Sequence, residues 1–138
     1  MVKSSTQPVL LELPRIHDPR GNLSFLQNRD HFPFEIARVF WTYDVPGGFT
    51  RGGHAYRTQE EVIIALSGSV DVVVTYPDGS HQKFSLSRSY HALYLPPLTW
   101  RHMENFSTNS LSLHLSSHPF DEADYIRDFE EFRRLALG

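Results

Sequence analysis

The stretch "EVIIALSGSVDVVVTYPDGSHQKFSLS", residues 61–87, decides the fold. Two runs rich in β-branched residues lie on either side of residues 67–69, and each has the length and composition of a strand. The second run ends at "PDGS" (77–80), which is typical of a tight hairpin turn, and residues 81–87 then alternate between polar and apolar side chains. The stretch therefore predicts three consecutive antiparallel strands.

Short strand-like segments continue on both sides of this stretch, separated by turn signals such as "VPGG" and "PPLT". They are residues 37–45, 90–95, 100–106 and 110–117. Many short strands at a spacing of about 8–12 residues are typical of an all-β sandwich or barrel of the jelly-roll type. We predict one all-β domain over residues 1–138, with the jelly roll at about 8–118.

The C-terminal tail follows a different pattern. Ile126, Phe129 and Phe132 recur at helical spacing. Asp121 precedes them as a predicted N-cap residue, and acidic side chains follow it in the first turn. We therefore predict a C-terminal α-helix over about residues 121–136, packed against the barrel or against a partner chain.

The composition excludes several classes of function. The chain has 138 residues and no cysteine, so one domain can bury a core, while disulfides, zinc–thiolate sites and thiol nucleophiles are excluded. A formal net charge of −3 argues against broad nucleic-acid binding. No apolar run approaches the roughly 18 residues that span a bilayer, and the N-terminus lacks the apolar core of a signal peptide. We expect a soluble cytoplasmic protein without nucleic-acid or membrane partners.

A histidine and a tyrosine stand close together in "RGGHAYR", residues 51–57. Because successive side chains of a strand point to opposite faces, His54 and Tyr56 share one face of the predicted strand. One face of a barrel strand is interior. The pair is therefore predicted to point into a cavity.

Two segments resemble the metal-binding motifs of cupins. Residues 54–68 follow the spacing of the first motif, which has two histidines and a glutamate before a glycine, and residues 96–105 follow the second, which supplies a third histidine. Tyr56 stands at the second histidine position and Arg101 at the third, while His102 faces away from Arg101 by alternation. A fixed cation beside one imidazole is a poor donor set for a divalent metal, so we predict no metal site.

A narrower resemblance is carried by a series of stretches: "DPRGNLSFL", "PFEIARVFW", "RGGHAYR", "ALSGSVDVVV", "LYLPPLTWRHMENFS" and "FDEADYIRDFEEF". From about His17 to Phe132 the chain resembles the dTDP-sugar 3,4-ketoisomerases, also described as WxcM-like C-terminal domains. The resemblance implies a cupin fold and conversion of dTDP-4-keto-6-deoxyglucose to a 3-keto isomer without metal or organic cofactor. It also implies that the product supplies amino sugars for surface polysaccharides, and that the protein is a homodimer with exchanged N-terminal strands.

The resemblance further implies roles for single residues. Arg38 matches a family arginine that we expect to contact the phosphates of the nucleotide, and Arg51 is a second candidate for that role. His54 matches the first histidine of the family pattern R-G-x-H-A-H. Tyr56 and Arg101 replace family histidines, so the sequence departs from the family pattern at positions expected to take part in the reaction.

Three more residues are candidates for substrate binding, each with an ordinary structural alternative. Trp100 and Tyr94 form either walls of the sugar pocket or part of the core. Glu60 orients the ligand, or it is a solvated charge at a strand edge.

The proposed reaction fixes what the site must contain. Moving a carbonyl from carbon 4 to carbon 3 passes through an enediol, which requires a base, an acid and a group that stabilises negative oxygen. His54 suits the base because its ordinary pKa lies near working pH, and Tyr56 suits the proton donor. Arg101 would stabilise the oxyanion. Two alternatives remain open: a dTDP-4-keto-sugar epimerase, and a non-catalytic cupin that binds nucleotide sugars.

Overall fold

The computed structural model describes residues 5–138, so the first four residues of the predicted domain lie outside the described residues. Within that range twelve β-strands are followed by one helix, α1 (Phe129–Leu137). A 3-10 turn covers Glu122–Asp124. The strands in chain order are β1 (Val9–Glu12), β2 (Arg15–Asp18), β3 (Gly21–Ser24), β4 (Arg38–Tyr43), β5 (Arg51–Tyr56), β6 (Glu61–Ser67), β7 (Val70–Thr75), β8 (His81–Leu86), β9 (His91–Leu95), β10 (Trp100–Glu104), β11 (Leu111–Ser116) and β12 (Tyr125–Ile126).

Two five-stranded antiparallel sheets form the jelly roll. The first has the order β1-β9-β6-β11-β4 and the second the order β12-β5-β10-β7-β8, while β2 and β3 form a separate hairpin. Consecutive strands such as β5 and β6 lie in different sheets, so the chain crosses repeatedly between the two layers. The predicted all-β jelly roll with a C-terminal helix is confirmed.

The three strands predicted over residues 61–87 are β6, β7 and β8. Gly68 joins β6 to β7 with φ +68°, and a Cβ there would collide with Ser107 and Ser110, so only glycine fits the turn. In the following turn, Asp78 Oδ1 accepts hydrogen bonds from the backbone N–H of Ser80 at 2.9 Å and from its hydroxyl at 2.6 Å. The turn at Gly68 therefore carries the chain from one sheet to the other, because β6 and β7 do not pair, while the turn at Asp78 joins the paired strands β7 and β8.

Burial on both faces explains the unbroken apolar run of β6. Ile63 and Ala65 point between the two sheets into the main core, which β7 and β9 complete. Val62 and Ile64 point the other way, into a second cluster that Phe32 and other side chains of the N-terminal segment cover. An amphipathic strand would alternate, whereas this one has no solvent-facing side until Leu66.

The tail differs from the prediction of a helix over 121–136. The 3-10 turn and strand β12 come first, and α1 begins only at Phe129, after the N-cap Asp128. The cause is Asp124, whose carboxylate accepts hydrogen bonds from the backbone N–H and hydroxyl of Thr58 and the backbone N–H of Gln59, at 2.8–3.0 Å. These contacts hold the chain extended against β5. Phe132 of α1 then packs on Trp100 and Ile126.

No helix within residues 5–138 is long and apolar enough to cross a membrane.

Candidate active site

A cavity of about 260 Å³ opens between the two sheets. Five strands of the jelly roll, β4, β5, β6, β10 and β11, line it together with the C-terminal segment, and most of the side chains are charged or aromatic. Its lining residues are Phe40, Thr42, Arg51, Gly52, His54, Tyr56, Glu61, Ile63, Arg101, Met103, His114, Tyr125 and Arg127.

The three residues predicted to carry the chemistry meet in this cavity. His54 and Tyr56 point the same way from β5, with ring centroids 4.8 Å apart and planes at 73°. Arg101 is the direct cross-strand partner of His54 in the pairing of β10 with β5. Its guanidinium carbon lies 5.0 Å from the centre of the Tyr56 ring. As predicted by alternation, His102 lies off the cavity and contacts Glu104 instead.

The environment of His54 keeps its imidazole neutral. Burial, assisted by the positive charge of Arg101, lowers the pKa of His54 from 6.5 to about 3. Its Nε2 atom is buried and has no hydrogen-bond partner within residues 5–138. A neutral ring with one unsatisfied nitrogen facing a cavity is positioned to exchange a proton with a ligand.

This shift predicts a pH dependence of stability. Between about pH 6.5 and pH 3 the unfolded chain binds a proton at His54 that the folded protein does not, so the free energy of unfolding should fall as the pH is lowered, by up to about 1.4 kcal/mol per pH unit. His54→Asn should flatten this dependence, measured by urea unfolding between about pH 7 and pH 5. His17→Asn removes an exposed imidazole and should keep the wild-type slope. Equal slopes in wild type and His54→Asn would contradict a buried neutral His54.

Tyr56 remains a protonated phenol. The residue is 1% exposed, and burial together with the negative charge of Glu61 raises its pKa. Its hydroxyl donates a hydrogen bond to the hydroxyl of Tyr125 at 3.3 Å. A phenol that resists ionisation is a proton donor and not a base.

Arg101 belongs to a buried network of charged and polar side chains. Its Nη1 donates to Glu61 Oε1 at 2.9 Å, its Nε donates to the carbonyl of Thr99 at 3.1 Å, and its Nη2 has no partner in the described chain. The other carboxylate oxygen of Glu61 lies 3.1 Å from His114 Nδ1, and His114 Nε2 lies 3.0 Å from the Ser112 hydroxyl. Burial by itself raises the pKa of Glu61, but His114 and Arg101 outweigh it and lower this pKa to about 2. Arg101 is thus a fixed cation with one nitrogen left for a ligand.

The donor set does not fit a divalent metal. The positions that match the cupin metal motifs are His54, Tyr56, Glu61 and Arg101, and the carboxylate of Glu61 is already bonded to the guanidinium of Arg101. Within residues 5–138, no three His, Cys, Asp or Glu side chains are grouped so that they could hold a metal ion. We derive no step through a metal.

The fold and the cavity agree with comparisons to known proteins. The sequence profile of the FdtA family, described as WxcM-like, C-terminal, matches residues 6–136. This chain belongs to the FdtA family.

Alignments with related proteins cover most of this chain. The TDP-4-oxo-6-deoxy-alpha-D-glucose-3,4-oxoisomerase of Aneurinibacillus thermoaerophilus is 33% identical over 126 residues, which cover 91% of this chain and 89% of that protein. A variant of the 3,4-ketoisomerase QdtA from Thermoanaerobacterium thermosaccharolyticum, in complex with TDP-4-keto-6-deoxyglucose, is 31% identical, with a TM-score of 0.91 and 96% of each chain covered. The WlaRB TDP-quinovose 3,4-ketoisomerase from Campylobacter jejuni is 39% identical, with a TM-score of 0.87 over 92% of this chain and 97% of that one. The predicted family and cupin-type fold are confirmed, and the protein is an isomerase of the sugar 3,4-ketoisomerase class.

Not every residue predicted for substrate binding lies at the cavity of this FdtA-family chain. Arg51 lines it. Trp100 instead packs edge-on against Phe129 of α1, with centroids 5.3 Å apart, and is a core aromatic. Glu60 and Tyr94 are bonded to each other at 2.6 Å, with Tyr94 buried in the outer apolar cluster. The structure therefore places Trp100, Glu60 and Tyr94 away from the site.

Arg38 is not among the residues that line the cavity. Its guanidinium carbon is 4.7 Å from the ring centre of Phe40, and its Nη2 donates to Gln59 Oε1 at 3.4 Å. Burial lowers the pKa of Arg38, but its interactions with Tyr125 and Tyr56 outweigh this effect and raise it. Arg38 is therefore a cation next to the two phenols, and the phosphate contact expected from the sequence stays a prediction.

The sequence analysis did not assign four titratable lining residues to the site. Glu61 stands at the cupin glutamate position, a signal that spacing alone left shared with Glu60. His114 lies among the polar positions that alternate with leucines in β11, and these polar positions are buried. Tyr125 and Arg127 were assigned to the predicted helix, where no strand alternation would place them at a cavity.

Proposed function

We propose that this protein converts dTDP-4-keto-6-deoxy-D-glucose to a dTDP-3-keto-6-deoxyhexose. One observation carries the proposal: the unsatisfied Nε2 of His54, the unsatisfied Nη2 of Arg101 and the phenol of Tyr56 belong to side chains that line one cavity. The names of the Aneurinibacillus relative and of the QdtA complex support the same substrate.

The reaction needs only proton transfers. His54 takes the proton from carbon 3, and the electrons of that C–H bond form the C3–C4 double bond while the carbonyl oxygen on carbon 4 becomes negative. Tyr56 supplies the proton that converts this oxygen to a hydroxyl. The imidazolium of His54 exchanges its proton with solvent while the enediol is bound and then protonates carbon 4, and the hydroxyl proton on carbon 3 passes to the phenolate of Tyr56 as the new carbonyl forms. Carbon 3 has lost a hydrogen and carbon 4 has gained one, so the atoms and electrons balance.

The basicity of His54, which is low in the resting enzyme, increases as negative charge develops on the sugar. The two largest effects that lower the pKa of His54 are burial and the charge of Arg101. Negative charge that develops on the sugar opposes both effects, so the basicity of His54 rises as the proton moves. Arg101 stabilises the same negative charge without exchanging protons, because a guanidinium keeps its proton and its positive charge in this pH range.

The cationic side chains of the cavity suit the diphosphate of the nucleotide. Arg51 and Arg127 both line it, beside Gly52, where the backbone leaves room for a ligand. Arg51→Met is expected to weaken dTDP binding by about tenfold or more, the effect of losing one charge-assisted hydrogen bond. Isothermal titration calorimetry measures this change, with Arg134→Met, at an exposed position on α1, as the charge-matched control. Equal affinities in the two variants would contradict the assignment of Arg51.

Isomerisation can be distinguished from its alternatives in one experiment. The protein is mixed with dTDP-4-keto-6-deoxyglucose in heavy water, and NMR locates the carbonyl and the deuterium. A carbonyl at carbon 3 with deuterium at carbon 4 supports the proposal. Deuterium at an inverted centre with the carbonyl still at carbon 4 indicates an epimerase. Tight dTDP binding without any exchange indicates a non-catalytic binding protein.

We also propose a homodimer with exchanged N-terminal strands. The hairpin of β2 and β3 exposes Ile16 and Leu23, each more than half accessible, and β4 exposes Trp41 to 58%. Exposed apolar side chains of this size are suited to burial against a second copy. Analytical ultracentrifugation should give twice the mass of one chain, and Ile16→Asp should shift the equilibrium towards monomer. A monomeric wild-type protein at high concentration would contradict this assembly.

The 3-keto product is a suitable substrate for amination. A ketone at carbon 3 is the electrophile that an aminotransferase requires, so we place the reaction before amination in the cytoplasmic synthesis of amino deoxysugars for surface polysaccharides such as O-antigen or S-layer glycans. Detection of a 3-amino-3,6-dideoxyhexose nucleotide in cells, and its loss when the gene is deleted, tests this placement.

A further inference from the structure

A second phenol stands over the cavity. Tyr125 of β12 lies directly opposite Tyr56 of β5, so the two side chains project from the same face of the sheet. The Tyr125 ring centre is 4.8 Å from that of Tyr56 and 5.1 Å from that of His54. Tyr125 therefore contacts both residues to which the isomerisation is assigned.

The hydrogen bond between the phenols has a direction. The Tyr56 hydroxyl donates to the Tyr125 oxygen at 3.3 Å, and a phenol has only one proton to donate. Tyr56 is 1% exposed, whereas Tyr125 is half-buried. The proton of Tyr56 is thus directed at Tyr125, and the proton of Tyr125 is left for a group in the cavity.

We propose that the proton of Tyr56 reaches the sugar through Tyr125, so that the two phenols form a relay. The proposal rests on the 3,4-ketoisomerisation proposed above. Tyr125 is the catalytic member that touches the sugar, and Tyr56 is the proton reservoir behind it.

The relay conserves every proton. As the oxygen on carbon 4 becomes negative, the O–H bond of Tyr125 breaks, a new O–H bond forms on the sugar, and the proton of Tyr56 moves to Tyr125. Tyr56 is then a phenolate opposite the imidazolium of His54. When His54 protonates carbon 4, the hydroxyl proton on carbon 3 passes to Tyr125, and the proton of Tyr125 returns to Tyr56. Both phenols end protonated, and no further reactant is consumed.

Fixed cations flank the pair. The guanidinium of Arg101 lies 5.0 Å from the Tyr56 ring centre, and that of Arg127 lies 4.4 Å from the Tyr125 ring centre. Arg38 also interacts with both phenols. The positive charge of these three arginines stabilises the transient phenolate, which burial and Glu61 disfavour in the resting enzyme.

The test compares two single-hydroxyl deletions in heavy water. Tyr125→Phe is expected to lower carbonyl transposition by about 100-fold, the usual contribution of a positioned acid. Exchange of the carbon 3 hydrogen should fall much less, because His54 and Arg101 still form and stabilise the enediolate, so the ratio of exchange to transposition rises. Tyr56→Phe should slow transposition less than Tyr125→Phe does. Tyr43→Phe, which removes an exposed hydroxyl, is the matched control and should behave as wild type.

Each remaining outcome contradicts the relay. Tyr125→Phe with transposition near the wild-type rate shows that Tyr125 transfers no proton, and a greater loss in Tyr56→Phe shows that Tyr56 meets the sugar directly. Equal losses of exchange and transposition, with weaker dTDP binding or a lower melting temperature, show a packing role. A wild-type enzyme that gives no 3-keto product overturns the proposed function itself, and the relay with it.

Discussion

His54→Asn is expected to lower kcat for carbonyl transposition by about 10³-fold or more, because it removes the group to which we assign both proton transfers at carbon. Exchange of the carbon 3 hydrogen with solvent should disappear as well, which separates this variant from Tyr125→Phe. Asparagine keeps a polar side chain of similar length without a titratable nitrogen. The rate is followed by NMR as the 3-keto product forms.

The fold and the ligand affinity provide the controls for this loss. Since His54 Nε2 has no partner within the described chain, the variant should melt near the wild-type temperature at neutral pH and bind dTDP with similar affinity. His102→Asn, one strand away and facing off the cavity, should retain full activity. If the His54→Asn enzyme loses only about tenfold in rate, His54 is not the base, because a general base contributes about 10²-fold or more.

Glu61→Ala should have the largest effect on stability, about 3–5 kcal/mol in the free energy of unfolding. The substitution leaves the charge of Arg101, which is 2% exposed, without its buried counter-ion, and His114 without its carboxylate partner. Urea unfolding at neutral pH measures the difference. The stabilisation by Glu61 should be complete above its unfolded pKa of 4.5 and be lost as the pH falls towards 2.

Two further variants show whether burial of the charge is the cause. Glu104→Gln removes a carboxylate from an exposed ion pair with Lys83, so it should cost about 1 kcal/mol at most. The double variant Glu61→Leu with Arg101→Met removes both buried charges and should recover most of the stability lost in Glu61→Ala, but not the activity. A loss of similar size in Glu104→Gln and Glu61→Ala would contradict this account of Glu61.

The strands were predictable because their signals are local. The glycine at the turn after β6 and the hairpin at "PDGS" are signals within each turn, and the alternation of β5 follows from backbone geometry alone. The tail was not predictable in the same way. Its apolar spacing fits a helix, but Asp124 forms hydrogen bonds with backbone about 65 residues earlier in the chain, and such a contact leaves no periodic signal.

The residues of the site were likewise predictable only where a local signal applied. His54, Tyr56 and Arg101 were found because alternation and motif spacing both applied to them. His114 was missed because β11 has polar side chains on its interior face, where a buried network with Glu61 satisfies them. Trp100 stands in a family motif, yet it packs against a helix whose position no local pattern could give.

The anchoring of the tail by Asp124 has a consequence for how activity arises during synthesis. Tyr125 and Arg127 are translated after strands β1 to β11. Their place in the cavity depends on the hydrogen bonds that Asp124 accepts from Thr58 and Gln59. A nascent chain can therefore fold strands β1 to β11 before the residues that complete the active-site cavity are in place. Completion of the cavity therefore depends on docking of the segment that carries Tyr125 and Arg127 after β11 has formed.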